Sequence, residues 1–78
     1  MSFVINDTMV VKIIVGQDSR YEERKVAQSS PMMVKDHLGT VFIKKNGSYL
    51  SPGQFGMFYQ ALPPEHPEAV EFLRVGPL

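Results

Sequence analysis

Alternating apolar and polar positions predict a β-rich protein. Residues 8–15 are rich in β-branched side chains, and every odd-numbered position among them is apolar, which is the two-residue period of a strand. The opposite face carries Val10 and Ile14 on either side of Lys12. A strand that is apolar on both faces is usually central or covered. We therefore expect this strand to be central, with its second face covered by a helix or another subunit.

Residues 38–62 carry the turn signals of a β meander. The β-branched and aromatic run 40–45 ends at Asn46-Gly47, a pair favoured in two-residue type I′ hairpin turns. Ser51-Pro52-Gly53 has the pattern of a type II turn, in which proline pre-sets φ at the second position and glycine can adopt the positive φ of the third. Residues 54–62 then alternate as a further strand. One face of that strand has Phe55, Met57, Tyr59 and Ala61.

Three other segments complete the sheet. Residues 3–5 form a short apolar run that predicts a first edge strand, and residues 32–35 predict another short strand. Residues 20–28 allow two interpretations, because Ser19 and Glu22 have the spacing of a helix capping box. A helix there would lack an apolar stripe, so we favour a strand that forms a hairpin with residues 8–15.

The chain changes character after residue 62. Residues 63–67 contain three prolines and predict a stiff, extended linker. The last of these prolines suits the first position of a helix, in which Glu68 and Arg74 complement the dipole, and residues 76–77 supply a stop. A final strand over residues 70–74 is the alternative.

These elements predict a mainly β fold with a minor α element. We expect a small antiparallel sheet or partly closed barrel of about four to six strands, with a short C-terminal helix. Residues 1–62 are assigned to the β domain, and residues 63–78 to the proline-rich linker and a helix packed on the same domain. The chain has 78 residues, and a domain of this size has a small core.

Composition restricts the compartment. The chain has no cysteine, which excludes disulfides and fits a reducing environment. Its longest apolar stretch falls short of the roughly 20 residues of a membrane helix. We expect no membrane association and a cytoplasmic location in the producing or host cell, and a phage- or virus-encoded protein fits this description.

Catalytic patterns are absent from the sequence. His37 follows Asp36 and His66 follows Glu65, but sequence neighbours rarely face each other as a catalytic dyad requires. Both pairs lie in predicted turn or linker segments, and no spacing typical of metal ligands or phosphate loops occurs. The prediction is a protein that is not an enzyme, with no catalytic residues, no metal site and no cofactor.

Nucleic-acid binding is one functional hypothesis. Basic residues interleaved with aromatics can follow phosphates and stack bases. The candidate residues are Arg20, Tyr21, Arg24, Lys25, Lys44 and Lys45. The formal net charge of zero and the neighbouring Glu22 and Glu23 weigh against this hypothesis.

A resemblance bears on the same hypothesis. The segment Tyr49-Leu50-Ser51-Pro52-Gly53-Gln54-Phe55 resembles the Tyr-x-Pro-Gly-x-aromatic segment of filamentous-phage gene V single-stranded-DNA-binding proteins. The resemblance implies a dimeric, five-stranded OB-like barrel in which residues 20–25 form the DNA-binding arm and Tyr49 is a barrel residue. This sequence departs from the family pattern by one extra residue between tyrosine and proline, and it lacks the Lys-Pro-Tyr pattern of the arm.

Protein binding is the favoured hypothesis. The second apolar face of residues 8–15 and the neutral charge favour protein contacts, and methionine offers adaptable apolar contact. An open sheet would also leave edges that a partner strand could extend. We therefore expect a small interaction module that binds itself, as a homo-oligomer, or another protein. The candidate partner-binding residues are Val10, Ile14, Met33, Phe58 and Phe72.

Overall fold

The computed structural model describes residues 3–75, which form a six-stranded antiparallel barrel with a helix on its outside. Consecutive strands pair with one another, and the last strand closes the ring against the first. The predicted mainly β fold with a short C-terminal helix is confirmed. The elements are β1 (Thr8–Val15), β2 (Asp18–Ser30), β3 (Met33–Asp36), β4 (Val41–Lys45), β5 (Ser48–Pro52), β6 (Met57–Leu62) and α1 (Pro67–Val75).

The barrel interior is filled by the inward positions of all six strands. In β1 the odd-numbered apolar residues point inward, as their period predicts, and its even-numbered residues point outward. Strand β1 contacts β2 on one side and β6 on the other, so it is surrounded as expected. The buried cluster contains Phe3, Met9, Val11, Ile13, Val26, Val34, Phe42, Tyr49 and Ala61.

Residues 20–28 belong to a strand rather than a helix. Strand β2 has 13 residues, pairing with β1 as far as Lys25 and with β3 from Val26 onward. Its register shifts between Val26 and Gln28, which is a β-bulge. A bulge bends a strand and increases its twist, so β2 can turn the corner between its two neighbours. The lack of an apolar helical stripe was therefore the correct signal, and the capping-box spacing was not.

The two predicted turns of the meander had different outcomes. Asn46 and Gly47 have φ of 51° and 85°, as a type I′ turn requires. The predicted type II turn is wrong, because β5 continues through Pro52 and the reversal occurs at Phe55 and Gly56, with φ of 57° and 76°. The β4–β5 pairing ends before Pro52, so the missing N–H of the proline is tolerated there.

Residues 3–5 do not form the predicted edge strand. They lead into a turn in which the N–H of Asp7 donates to the carbonyl of Val4, at 3.0 Å. Phe3 is buried at one end of the barrel, with its ring 5.0 Å from that of Tyr49 in an edge-to-face arrangement. A closed ring leaves no full edge for another strand, so Phe3 joins the core at the end of the barrel while Val4 and Ile5 stay exposed.

Helix α1 begins at Pro67, as predicted, and the alternative of a final strand is wrong. The Nδ1 atom of His66 accepts a hydrogen bond from the backbone N–H of Glu68 at 3.1 Å, which satisfies one free donor of the first turn. The predicted stop at residues 76–77 lies outside the described residues. Within residues 3–75, no helix combines the length and apolar character needed to cross a bilayer.

Candidate functional site

The outside of the barrel has two apolar areas, and helix α1 covers the first. Val10 of β1 and Leu62 of β6 are paired neighbours that point outward, and both are fully buried. They pack with Ala69 of α1, and Tyr21 and Phe72 close the sides of the cluster. We call this area the covered face.

Polar contacts fix the helix over the covered face. The Oε1 atom of Glu68 accepts a hydrogen bond from the hydroxyl of Tyr21 at 2.7 Å and pairs with the Nζ atom of Lys12 at 2.9 Å. The hydrogen bond from Tyr21 and the contact with Lys12 lower the pKa of Glu68, and the same carboxylate raises the pKa of Lys12. Helix α1 is therefore held by charge as well as by apolar contact.

The second apolar area has no cover from the described residues. In this area Ile14 opposes Phe58, which opposes Pro52 on the next strand. Met33 opposes Ile43, which opposes Leu50. Leu50 and Pro52 are two residues apart on the same side of β5, so they connect the two groups. Phe58 is 48% exposed and Ile43 is 44% exposed. We call this area the open face. Its residues are Ile14, Met33, Ile43, Leu50, Pro52 and Phe58.

A depression of about 280 Å³ lies within the open face. Its walls are the side chains of Ile43, Lys45, Leu50, Pro52 and Phe58. The volume is below the roughly 300 to 1,000 Å³ of small-molecule sites. It is suited to an apolar side chain from another protein, which is how hot-spot residues are seated at interfaces.

The charge around the open face is positive. Lys35 and Lys45 point outward from β3 and β4, each two residues from an open-face residue on the same strand. Strands β3 to β6 contain one acidic residue, Asp36, which points into the barrel and is completely buried there. The open face is thus an apolar surface with two lysines on β3 and β4, and at its β1 edge Lys12 is paired with Glu68.

The five predicted partner-binding residues divide between the two areas. Ile14, Met33 and Phe58 lie on the open face. Val10 is 1% exposed under the chain's own helix, so the prediction that it contacts a partner is corrected: α1 supplies the cover that its position required. Phe72 is part of α1, where it packs against Tyr21 with ring centroids 5.8 Å apart.

Arg24 belongs to the predicted nucleic-acid-binding set, but its guanidinium forms ion pairs within the barrel. Its Nη1 atom lies 2.8 Å from Oδ2 of Asp36, and its Nε atom lies 2.6 Å from Oε2 of Glu22. The other oxygen of Asp36 accepts hydrogen bonds from the backbone N–H groups of Leu38 and Thr40. Arg24 therefore neutralises a buried carboxylate, and its guanidinium is not available to a phosphate.

The remaining residues of that set do not form one surface. Tyr21 is bound to Glu68 in the covered face, which removes its ring as a base-stacking platform. Arg20 and Lys25 are exposed but point to opposite sides of β2, because they are five residues apart. Lys44 and Lys45 also point to opposite sides of their strand, and the Nζ atom of Lys44 lies 5.8 Å from the centre of the buried Tyr49 ring.

Phe55 is a residue whose position sequence reasoning missed. It was expected on a strand, on the same face as Met57, Tyr59 and Ala61, but it lies in the β5–β6 turn and is 94% exposed. It borders a second depression of about 710 Å³ at the end of the barrel. No lysine, arginine, histidine or acidic residue lines this depression, so it lacks the convergent charged groups of a catalytic or anion site.

The histidines do not face the acids that precede them in sequence. His37 is exposed in the β3–β4 turn, and the carboxylate of Asp36 points away from it to Arg24. His66 uses Nδ1 to cap α1. Neither histidine therefore forms a hydrogen-bonded dyad with the acid that precedes it.

No family model, curated protein or solved structure significantly matches this chain. The resemblance to gene V proteins stays a prediction. Those proteins have five strands, whereas this barrel has six in simple sequential order. Function is therefore inferred from the chain's own surfaces.

Proposed function

We propose that this protein is a non-enzymatic interaction module and that it binds protein through the open face. The observation that supports this proposal is a continuous outward-facing set of six apolar residues on five of the six strands. The chain covers its other outer apolar area with its own helix but leaves this one in water. Large contiguous apolar patches on small proteins commonly mark interaction sites.

Phe58 is the expected centre of binding. It pairs with Pro52 on one side and Ile14 on the other, and it forms one wall of the depression. Aromatic residues seated among apolar neighbours contribute most of the affinity at many interfaces. The surrounding residues then exclude water from the contact.

Single-stranded nucleic acid is the competing ligand. It is less favoured because Arg24 and Tyr21 are bound within the protein and the formal net charge is zero. If phosphates were the target, binding would weaken steeply with salt, since each contact releases counterions. An apolar interface would respond much less.

The test compares Phe58→Asp with Leu38→Asp. Leu38 is 74% exposed in the β3–β4 turn, so its replacement adds the same charge outside the open face. Wild type and Leu38→Asp should form the same protein complex, measured by light scattering across a concentration series and by capture from a lysate. Phe58→Asp should lose that complex while keeping the far-ultraviolet circular dichroism of wild type.

Two outcomes would overturn the proposal. One is equal association by wild type and Phe58→Asp. The other is salt-sensitive binding of labelled oligothymidine, in fluorescence polarisation, that is tighter than about micromolar and unchanged by Phe58→Asp. The second outcome would assign the protein to nucleic-acid binding instead.

A further inference from the structure

Two lysines give the open face a positive charge that the described residues do not compensate. Neither Lys35 nor Lys45 has an ion-pair partner among residues 3–75. Lys12, at the β1 edge, differs from them because the carboxylate of α1 lies 2.9 Å from its Nζ atom. Asp18 opposes the last residue of β1 and lies on the inner side of the sheet. The uncompensated charge of the open face is therefore that of the two lysines.

The two lysines lie on either side of the apolar centre. Lys45 comes two residues after Ile43 on β4, and Lys35 opposes Val41, which comes two residues before Ile43. A strand rises about 3.3 Å per residue, so the two lysines are separated by roughly 13 Å along β4. Val41 is apolar and 40% exposed, and it continues the apolar surface toward Lys35. A ligand that covers this surface meets apolar side chains in its middle and an ammonium group toward each end.

We propose that the partner of the open face is an acidic segment of another protein, in which one large apolar side chain lies between carboxylates. This inference rests on the proposed function, because it names the chemistry of the partner that the open face binds. The apolar side chain occupies the depression of about 280 Å³ beside Phe58. The carboxylates on its two sides pair with Lys35 and Lys45.

The position of Lys45 favours a partner with carboxylates over a wholly apolar one. Lys45 forms one wall of the depression, so a side chain that fills the depression also removes water from this lysine. A charged group that loses water without gaining an oppositely charged partner costs free energy. A carboxylate next to the bound side chain supplies that partner. Complementary charge also raises the rate of association and discriminates against basic proteins.

A second copy of this chain fits the open face less well. Two open faces brought together would place lysines against lysines, and like charges in contact are unfavourable. Helix α1 of a second copy offers no unpaired carboxylate, because Glu68 pairs with Lys12 and Glu71 pairs with Arg74. The acids of the partner therefore come from a different protein.

Nucleic acid is also negative, but the open face has few of the groups that bind it. Affinity for a phosphate backbone comes from several cationic contacts, whereas this face combines two lysines with six apolar residues. Base stacking uses exposed aromatic rings, and the open face has one, that of Phe58. An acidic segment with an apolar side chain matches both the charge and the apolar area.

Selection from a random peptide library displayed on phage tests the proposal. Immobilised wild type should enrich peptides that are net negative and carry a large apolar residue between acids. The same selection is run on a variant with Lys35→Glu and Lys45→Glu, which should lose the preference for acids. The control carries Arg20→Glu and Lys25→Glu, which change the net charge equally at exposed positions of β2 outside the open face. The control should keep the preference.

Fluorescence polarisation with one labelled, enriched peptide measures the effect of each variant. Lys35→Glu with Lys45→Glu should weaken binding by about tenfold relative to the control, and lysine in place of the peptide's acids should restore much of it. Phe58→Asp should abolish binding. Circular dichroism establishes that every variant is folded. Should Phe58→Asp unfold, Ile43→Asp replaces it, since Ile43 is 44% exposed on the same face.

The failures of the two proposals are distinguishable. If wild type enriches neutral or basic peptides, or none, the inference is overturned, and the proposed function stands as long as Phe58→Asp still abolishes a protein complex. Self-association of wild type that Phe58→Asp abolishes, without enrichment of acidic peptides, identifies a second copy as the partner and likewise overturns only the inference. If acidic peptides bind Phe58→Asp as tightly as wild type, both proposals are wrong. Both are also wrong if labelled oligothymidine binds more tightly than the enriched peptides and depends on Lys35 and Lys45.

Discussion

The covered face and the open face share one sequence feature but differ in their exposure to water. Both consist of apolar residues at outward positions of barrel strands. Val10 and Leu62 are removed from water by α1, whereas Ile43 and Phe58 stay about half exposed. An outward apolar residue is therefore not in itself evidence of an interface, because the rest of the chain decides whether it is covered.

The two faces also contribute to different processes, the covered face to folding and the open face to binding. Burial of apolar surface contributes roughly 25 cal/mol per Å² removed from water. At the covered face this free energy stabilises the monomer, because the cover is part of the same chain. At the open face the exposed part of it becomes available only when another protein docks. Substitutions on the two faces should consequently affect different measurements.

The largest expected effect is a loss of stability of the barrel that carries both faces. Arg24→Ala leaves the carboxylate of Asp36 buried without its ion-pair partner, and breaking a buried pair in this way typically costs about 3–5 kcal/mol. Urea unfolding should show this loss. Lys25→Ala, which removes the adjacent exposed cation of β2, should change stability by less than about 0.5 kcal/mol.

Equal effects of these two substitutions would contradict the structural role of Arg24. The same comparison affects any test of nucleic-acid binding. Loss of binding in an Arg24 variant would not identify a phosphate contact, because the barrel itself is weakened. Lys25→Ala removes an exposed cation without touching the buried ion pair and is the appropriate variant.

The second prediction compares a leucine-to-alanine substitution on each of the two faces. Leu62 is completely buried in the covered face, so Leu62→Ala should lower the free energy of unfolding by about 2–5 kcal/mol. Leu50→Ala, on the open face, should lower it by about 1 kcal/mol, because water fills the space that the side chain leaves. Denaturant unfolding in dilute solution measures both without a contribution from association. A larger loss for Leu50→Ala would mean that the open face is covered within the monomer.

Local signals made most of the fold predictable from the sequence. The period-two pattern of residues 8–15, the Asn46-Gly47 turn and the proline at the start of α1 each depend on neighbouring residues. The β5–β6 turn was misplaced because its conformation does not follow from local preference. Phe55 adopts a positive φ that few non-glycine residues favour, and the proline pattern just before it was the stronger local signal.

The assignment of surfaces depended on contacts that sequence spacing does not contain. Arg24 meets Asp36 across the pairing of β2 with β3, and Phe3 meets Tyr49 across the end of the barrel. Sequence reasoning recognised that Val10 needs a cover, but it could not determine which element supplies it. Ile14, Met33 and Phe58 were selected one by one, and barrel closure is what makes them one surface.

The smallest expected effect concerns the contacts of Glu68 that hold α1 on the covered face. The contacts with Tyr21 and Lys12 lower the pKa of Glu68, so the ionised form is favoured in the folded state. The stability from these contacts is therefore present above the ordinary glutamate pKa of about 4.3 and is lost as the pH falls through the lower folded value. Because the side chain of Glu68 is 41% exposed, we expect a contribution of about 1 kcal/mol or less.

Glu68→Gln measures this contribution, because glutamine keeps an oxygen that can accept from Tyr21 but cannot ionise. Wild type should be the more stable protein at about pH 7, and the difference should shrink as the pH falls below the ordinary glutamate pKa of about 4.3 and through the lower folded value. Glu23→Gln is the control, since Glu23 is exposed and makes no ion pair with a residue in 3–75. If wild type stays more stable than Glu68→Gln at low pH, the ionised carboxylate of Glu68 is not the cause of the difference. Packing would then hold α1 on the covered face without a contribution from charge.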